Sequence, residues 1–206
     1  VRDPERVADE IAARARVPGV SHVFLVDSVF NVPRWHALAV CRALEARGAP
    51  LPFVCYANPV GLDEELVSAM ARAGCVGVEI GADAGTDRML RRLRKPFRRE
   101  DILRARALLG AAGIRDCHSF VLGAMDETEA EAQETLAFVD ELRPDAAVFV
   151  VFMEDREERG AGRATHRAAL LALLAKEAPR RPNWSVPELG IRFGPQISRF
   201  LARRGL

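Results

Sequence analysis

Polar side chains that could do chemistry recur in this sequence at the ends of short apolar runs. Asp27 and Ser28 follow HVFLV, Asn58 follows LPFVCYA, Asp83 follows VGVEIGA, and Gly123 to Glu127 follow CHSFVL. Runs of this length and composition read as strands. In a parallel α/β fold, sites are built at the carboxyl ends of strands, where the loops share one rim. Each residue also has a plain structural use. Asp27 can cap a turn, Asp83 the next helix, Asn58 precedes a proline, and Glu127 suits a helix N-terminus. The recurrence points to a site: one polar group after nearly every strand.

Other chemistries find little support. His22, His36, His118 and His166 fall on different elements. Cys117 and His118 are adjacent in a strand and point to opposite faces, so they make a poor metal pair. Cys41, Cys55, Cys75 and Cys117 form neither a dense disulfide frame nor a paired Cys-x-x-Cys. They are expected to be held apart by helix and strand walls, and no metal ligands are expected. The only lysines are Lys95 and Lys176, which disfavours a Schiff-base aldolase.

The elements that must position the rim follow from glycine stops and hydrophobic period. Around Asp83, Gly74 reads as a helix stop. Val76, Val78 and Ile80 alternate with Gly77, Glu79 and Gly81, giving a strand with one apolar face and one small or acidic face. Met89, Leu90 and Leu93 then resume helical spacing. Before this stretch, Asp3-Pro4-Glu5 opens a helix, His22 to Val26 is a strand, Pro33 opens a helix, and Leu51 to Ala57 is a second strand. After it come a helix from Arg99 to Ala112, a strand from Cys117 to Leu122, and a helix opened by Asp126 and Glu129 as a capping pair. Ala146 to Phe152, wholly apolar, reads as a fifth strand buried on both faces. Glycine stops at 19, 48, 74 and 113 mark the repeat. Strands alternating with helices imply a parallel sheet, either open or curled into a barrel.

Residues 154–206 break the pattern: a charged loop to Arg167, a helix from Ala168 to Lys176, a proline-rich irregular stretch and a short basic helix. The expected division is a core over 1–153 and a tail over 154–206. At 206 residues, 49% apolar, one domain is the simplest count. With 30 basic against 29 acidic residues there is no electrostatic case for nucleic acid or an anionic membrane. The apolar run Ala146 to Met153 is far short of the ~20 residues of a spanning helix. A reduced cytoplasmic protein acting on a small molecule is the default.

GVEIGADAGTDRMLRRLRK, followed by a helix and AGIRDCHSFVLGAMDET, resembles the core of radical SAM enzymes, most closely the cobalamin-binding type. VFLVDSVFN, LDEELVSAMARAGC and RDPERVADEI match in the same order. The resemblance covers about residues 2 to 153. It implies an incomplete (β/α) barrel, here with about five parallel strands and outer helices. It implies S-adenosylmethionine across the strand ends and a 4Fe–4S cluster held by Cys-x-x-x-Cys-x-x-Cys. Carried over, Asp27 and Ser28 lie near the methionine moiety, Asp83 faces the ribose and methionine, and Val121 to Gly123 border the adenine. Asn58 and Glu127 complete the expected rim.

The sequence departs from that pattern in three places. The first strand and the cluster motif are absent from these residues. Gly123-Ala124-Met125-Asp126-Glu127-Thr128 stands for Gly-x-Pro-Gly-Glu-Thr, and Met153-Glu154-Asp155-Arg156 for a Pro-Gly-Thr turn. Two expectations follow. The chain is the carboxyl-terminal part of a radical SAM core, with the cluster and any cobalamin belonging to a complete parent. Alternatively it is a degenerate barrel that binds or scaffolds without catalysis. An open edge at the His22–Val26 strand is expected to draw other chains.

Overall fold

The computed structural model describes residues 1–26, 28–152 and 161–194, with only the backbone of 161–164. Asp27, the Met153–Arg156 turn and the closing basic helix lie outside the described residues. The order is α1 (Pro4–Arg14), β1 (Val23–Leu25), α2 (Arg34–Ala46), β2 (Phe53–Tyr56), α3 (Glu64–Arg72), β3 (Cys75–Asp83), α4 (Asp87–Arg92) and α5 (Arg99–Ala111). It continues with β4 (Arg115–Leu122), α6 (Glu129–Leu142), β5 (Ala146–Val151), α7 (Ala161–Glu177) and β6 (Trp184–Ser185). The strands lie in sequence order β1-β2-β3-β4-β5-β6 in one sheet. Pairing is parallel between β1 and β2, β2 and β3, and β5 and β6. This is the expected unclosed βα architecture, with β6 added in the stretch read as irregular.

The local signals behave as their chemistry dictates. Asp3 caps α1 by accepting from the Arg6 N–H at 2.9 Å, and Asp63 caps α3 through Leu66 N–H at 2.8 Å. Gly74 ends α3 at φ 93°, a left-handed conformation that β-carbon sterics deny most residues.

Two compact units divide the chain. The first holds Val1–Gly81 and Asp101–Cys117; the second holds Ala82–Glu100 and His118–Arg199. In the first, Ala8 and Ile11 of α1, Leu38, Cys41 and Leu44 of α2, and Leu66 and Met70 of α3 pack with Phe53, Cys55, Val78 and Ile80 of the strands. The apolar stripes of the helices and one strand face supply this core, as their periods require. In the second, Phe120 of β4 stacks on Phe149 of β5 at 5.5 Å, and Phe149 meets Trp184 of β6 at 4.5 Å. The Arg181 guanidinium lies 4.4 Å from the Trp184 ring.

Several expectations need correction. A bulge shifts the register so that Phe53 pairs with Cys75 but Val54 pairs with Gly77. Cys75 therefore takes the core place, and Val76 is only half-buried. From Gly77 on, the expected alternation holds. β5 is not buried on both faces: Val150 is 39% exposed, and Phe152 just beyond it 42%. The capping box before α6 is Thr128 with Glu131, not Asp126 with Glu129. α7 begins seven residues before Ala168, within the stretch read as a loop. The cysteines are not all apart. Cys41, Cys55 and Cys75 are close enough to act on one another's charge, and the Cys75 thiol donates to the Gly77 carbonyl at 3.5 Å.

Candidate functional site

The turn that ends β3 carries the most distinctive backbone of the expected rim. Asp83 is the last residue of β3 rather than the first of the loop, and it holds φ 62°. Ala84 N–H donates to the Ala82 carbonyl at 2.8 Å across it, closing a three-residue turn. A left-handed, non-glycine residue at the centre of such a turn is strained. The helix cap that sequence reasoning offered to Asp83 belongs to Thr86, whose hydroxyl accepts from Met89 N–H at 3.2 Å.

The Asp83 carboxylate instead forms an ion pair with Lys95. Lys95 is presented by another left-handed residue, Arg94 at φ 54°, and its own N–H returns to the Leu90 carbonyl at 2.9 Å. Both side chains are about a quarter exposed. The loop is pinned at Gly85, where a β-carbon would come within 2.6 Å of Thr135 Cα and 3.1 Å of Phe138. Gly85 N–H donates to the Thr135 hydroxyl at 3.1 Å. Glycine is required there by close approach to α6.

The Gly123–Glu127 loop, which follows β4, is part of the same unit. Gly123 takes φ 79°, and a β-carbon on it would meet Leu170 at 2.9 Å. Its N–H donates to Glu127 Oε2. Glu127 is 4% exposed, and its Oε1 has no hydrogen-bond partner among the described residues. Burial pushes its pKa up to about 7; the Gly123 N–H works the other way. Met125, at φ 57°, stands 59% exposed at the loop tip. Val121 is half-buried on β4.

Ion pairs tie α4 to this loop. Arg92 meets Asp126 at 2.7 Å, and Arg88 pairs with Glu131, whose pKa it holds down to about 2. The fold thus brings Asp83, Val121, Gly123 and Glu127 into one unit, on the ends of neighbouring strands.

Ser28 and Asn58 belong to the other unit. Ser28 is exposed in the bend after β1. Asn58 is clamped by Asn31, which is 1% exposed: Asn31 Nδ2 donates to the Asn58 carbonyl and Asn31 Oδ1 accepts its N–H, both at 2.8 Å. The Asn58 side chain accepts from Val60 N–H at 3.0 Å. A β-carbon at Gly61 would strike Asn31 at 2.5 Å, so this glycine makes room for the clamp. Sequence reasoning missed Asn31 and Lys95. Nothing local marks an asparagine that will clamp a segment 27 residues on. Lys95 carried a faint signal, as one of two lysines in an arginine-rich chain.

Residues 1–139 match the radical SAM superfamily. The chain belongs to that superfamily. An uncharacterized methyltransferase of Pyrococcus horikoshii, PH0819, is 23% identical over 147 residues, 71% of this chain and 32% of the relative. The anaerobic magnesium-protoporphyrin IX monomethyl ester cyclase of Cereibacter sphaeroides is 29% identical over 151 residues, 71% of this chain and 25% of that enzyme. Among solved structures, the radical S-adenosylmethionine methyltransferase TsrM of Kitasatospora setae, with cobalamin and a 4Fe–4S cluster bound, superposes with a TM-score of 0.68. It is 24% identical, and the match covers 73% of this chain and 31% of TsrM. The chain spans about a third or less of the length of these proteins.

Radical SAM membership implies S-adenosylmethionine and a 4Fe–4S cluster. The cysteines of this chain do not fit the cluster. They are free thiols on α2, β2, β3 and β4, and among the described residues no three His, Cys, Asp or Glu side chains are placed to hold a metal ion. Burial pushes Cys41 and Cys117 up to about 12, away from the thiolate a cluster needs. The loops of the second unit carry the polar groups of the expected rim. They offer a carboxylate on a strained turn, a glycine without a side chain, and a buried carboxyl oxygen with no partner among the described residues. No described helix is long and apolar enough to cross a membrane.

Proposed function

We propose that this chain supplies the S-adenosylmethionine and substrate walls of a radical SAM core, with the cluster ligands provided outside these 206 residues. The observation that carries the reading is Asp83, held at the carboxyl end of β3 by a left-handed turn in a chain whose residues 1–139 match the superfamily. Strain of this kind persists where the surroundings enforce it, and it gathers at ligand sites. The Asp83 carboxylate accepts from ribose hydroxyls or the methionine amino group, with Lys95 fixing its orientation. Val121 and Gly123 border the adenine, and Glu127 holds the Gly123 peptide in place. The family resemblance assigns Asp27 and Ser28 to the methionine moiety and Asn58 to cofactor binding.

When bound, the cofactor supplies a 5′-deoxyadenosyl radical on reductive cleavage. The residues of this chain bind it, orient it and keep water from it. Residues 1–153 form the binding core and 154–206 its tail. The protein acts in the cytoplasm on a small molecule rather than on nucleic acid. Cobalamin serves only a complete parent protein. The β1 edge, with its unpaired backbone groups, is where a further strand or another chain would add.

Equilibrium dialysis with radiolabelled S-adenosylmethionine tests the reading. Asp83→Ala should weaken binding by about tenfold or more, since hydrogen bonds to a charged group contribute about 1.5–3 kcal/mol. After anaerobic treatment with iron, sulfide and dithionite, the 206-residue chain should release no 5′-deoxyadenosine. Cofactor affinity unchanged by Asp83→Ala, or product from the chain alone, would overturn the assignment.

A further inference from the structure

β6 covers the edge of β5 for only part of its length. The two strands pair at Ala147 and Val148, and the Ala147 N–H donates to the Asn183 carbonyl at 2.8 Å. Successive N–H groups along a strand turn to opposite neighbours. The Phe152 N–H, on the β4 side, donates to the Leu122 carbonyl at 2.8 Å. Val151, one residue earlier, therefore turns its N–H to the β6 side. By the register, a continuing β6 would meet it with the Pro187 carbonyl.

β6 does not continue. Pro187 opens a 3₁₀ turn over Pro187–Leu189, closed by Gly190 at φ 65°, and the Pro187 carbonyl accepts from the Gly190 N–H at 3.0 Å. The Glu188 carboxylate takes the place left in the ladder: its Oε1 accepts from the Val151 N–H at 2.9 Å. A side chain thus supplies the rung that the backbone leaves open. The turn that carries Glu188 is fixed at its base. Val186, fully buried, exchanges hydrogen bonds with Ile191 at 2.9 and 3.2 Å, and the Ser185 hydroxyl donates to the Ile191 carbonyl at 3.1 Å. Trp184 is buried against Phe149 beside it.

What Glu188 covers would otherwise be adhesive. A strand edge with an unpaired N–H is a template for another strand, and proteins blunt such edges with short strands, prolines and charges. Here the two-residue β6, Pro187 and the Glu188 carboxylate act together on one edge. Val150 and Phe152, on either side of Val151, are exposed, so the same stretch offers apolar side chains to an incoming chain. A second copy is the chain to exclude, because an identical edge is present at the concentration of the protein itself. Two β5 edges meeting antiparallel about a two-fold axis would exchange a pair of hydrogen bonds between their Val151 residues.

We propose that Glu188 is a strand-edge guard: by accepting the Val151 N–H it keeps the β5 edge from pairing with a second copy of this chain. The guard acts whatever the sheet binds, so it does not rest on the cofactor reading above.

The test is sedimentation equilibrium of the 206-residue chain beside Glu188→Ala and Glu188→Gln. Glu188→Ala should self-associate about tenfold more tightly than the wild type, the effect of about 1.4 kcal/mol from a pair of edge hydrogen bonds. Glu188→Gln keeps a carbonyl acceptor for the Val151 N–H and should match the wild type. Cross-linking locates the contact. With Val150→Cys added, a bismaleimide should join copies of Glu188→Ala several-fold faster than copies that keep Glu188. Val26→Cys, at an exposed position just beyond β1, reports on the opposite edge of the sheet. The proposal fails if Glu188→Ala associates no more tightly than the wild type, or if its extra cross-linking appears at Val26→Cys and not at Val150→Cys. It fails also if Glu188→Gln associates as tightly as Glu188→Ala, since the charge and not the hydrogen bond would then guard the edge. If Glu188→Ala does not fold, amide exchange in the wild type decides. The Val151 amide should be protected as strongly as that of Phe149, and exchange at the rate of a solvent-exposed amide would overturn the assignment.

Discussion

Glu127→Gln should separate the cost of burying a charge from every other effect at the β4–α6 loop. In the folded protein burial pushes the Glu127 carboxyl up to about 7 from an ordinary value of 4.5, and no described residue partners its second oxygen. Between those values the folded state holds a proton that the unfolded chain has released. The folded protein therefore loses stability as pH rises from about 4.5 to about 7, and the loss levels off above that. Fully ionised, the burial costs about 3 kcal/mol at 1.36 kcal/mol per pH unit. Glutamine carries no charge at any pH, and its carbonyl can accept the Gly123 N–H as Oε2 does.

An unpaired amide in the place of Oε1 adds a cost of about 1–3 kcal/mol, but the same at every pH. The informative quantity is thus the change in the variant-to-wild-type difference. Linkage puts that change at about 2.5 kcal/mol in favour of the variant on going from about pH 5 to about pH 8. Urea unfolding followed by circular dichroism at the two pH values measures it. A difference that stays constant would show that Glu127 ionises freely in the folded protein, and the account of the buried carboxyl would be wrong.

Gly85→Ala should destabilise the protein by about 1–3 kcal/mol in urea unfolding, because its methyl group would collide with the α6 backbone at Thr135. Asn31→Ala leaves the Asn58 N–H and carbonyl without their clamp, an expected loss of about 2 kcal/mol at roughly 1 per hydrogen bond, read from the same unfolding curves. The Cys41 and Cys117 thiols should react with Ellman's reagent far more slowly in the native protein than in urea, since burial holds both neutral. Fast reaction of all four thiols in the native state would contradict the placement of these cysteines.

Much of the architecture was readable along the chain because the signals are local. The stop at Gly74, the cap at Asp3 and the alternation from Gly77 to Ala82 depend on backbone sterics and on the two-residue period of a strand. The errors arose where a neighbour in space overrode the local pattern. The bulge at Phe53 and Val54 moved Val76 out of the core, and only pairing with β2 could reveal it. Thr128 rather than Asp126 caps α6 because Asp126 is drawn to Arg92 and Arg88 on α4.

The candidate site divides along the same line. The sequence by itself determined which residues end the strands: Asn58, Asp83 and Gly123 each follow an apolar run that a parallel βα unit must bury. It also determined the family to which the chain belongs. Tertiary structure alone decided what each polar group does there. Asp83 is paired because Lys95 returns to it around α4. Glu127 turns inward to the Gly123 peptide and becomes a buried acid, although its position suited a solvated helix N-terminus. Strand ends follow from periodicity, which is a property of neighbours in sequence. Charge pairing, burial and proton affinity follow from which distant segments come into contact, and no local pattern carries that information.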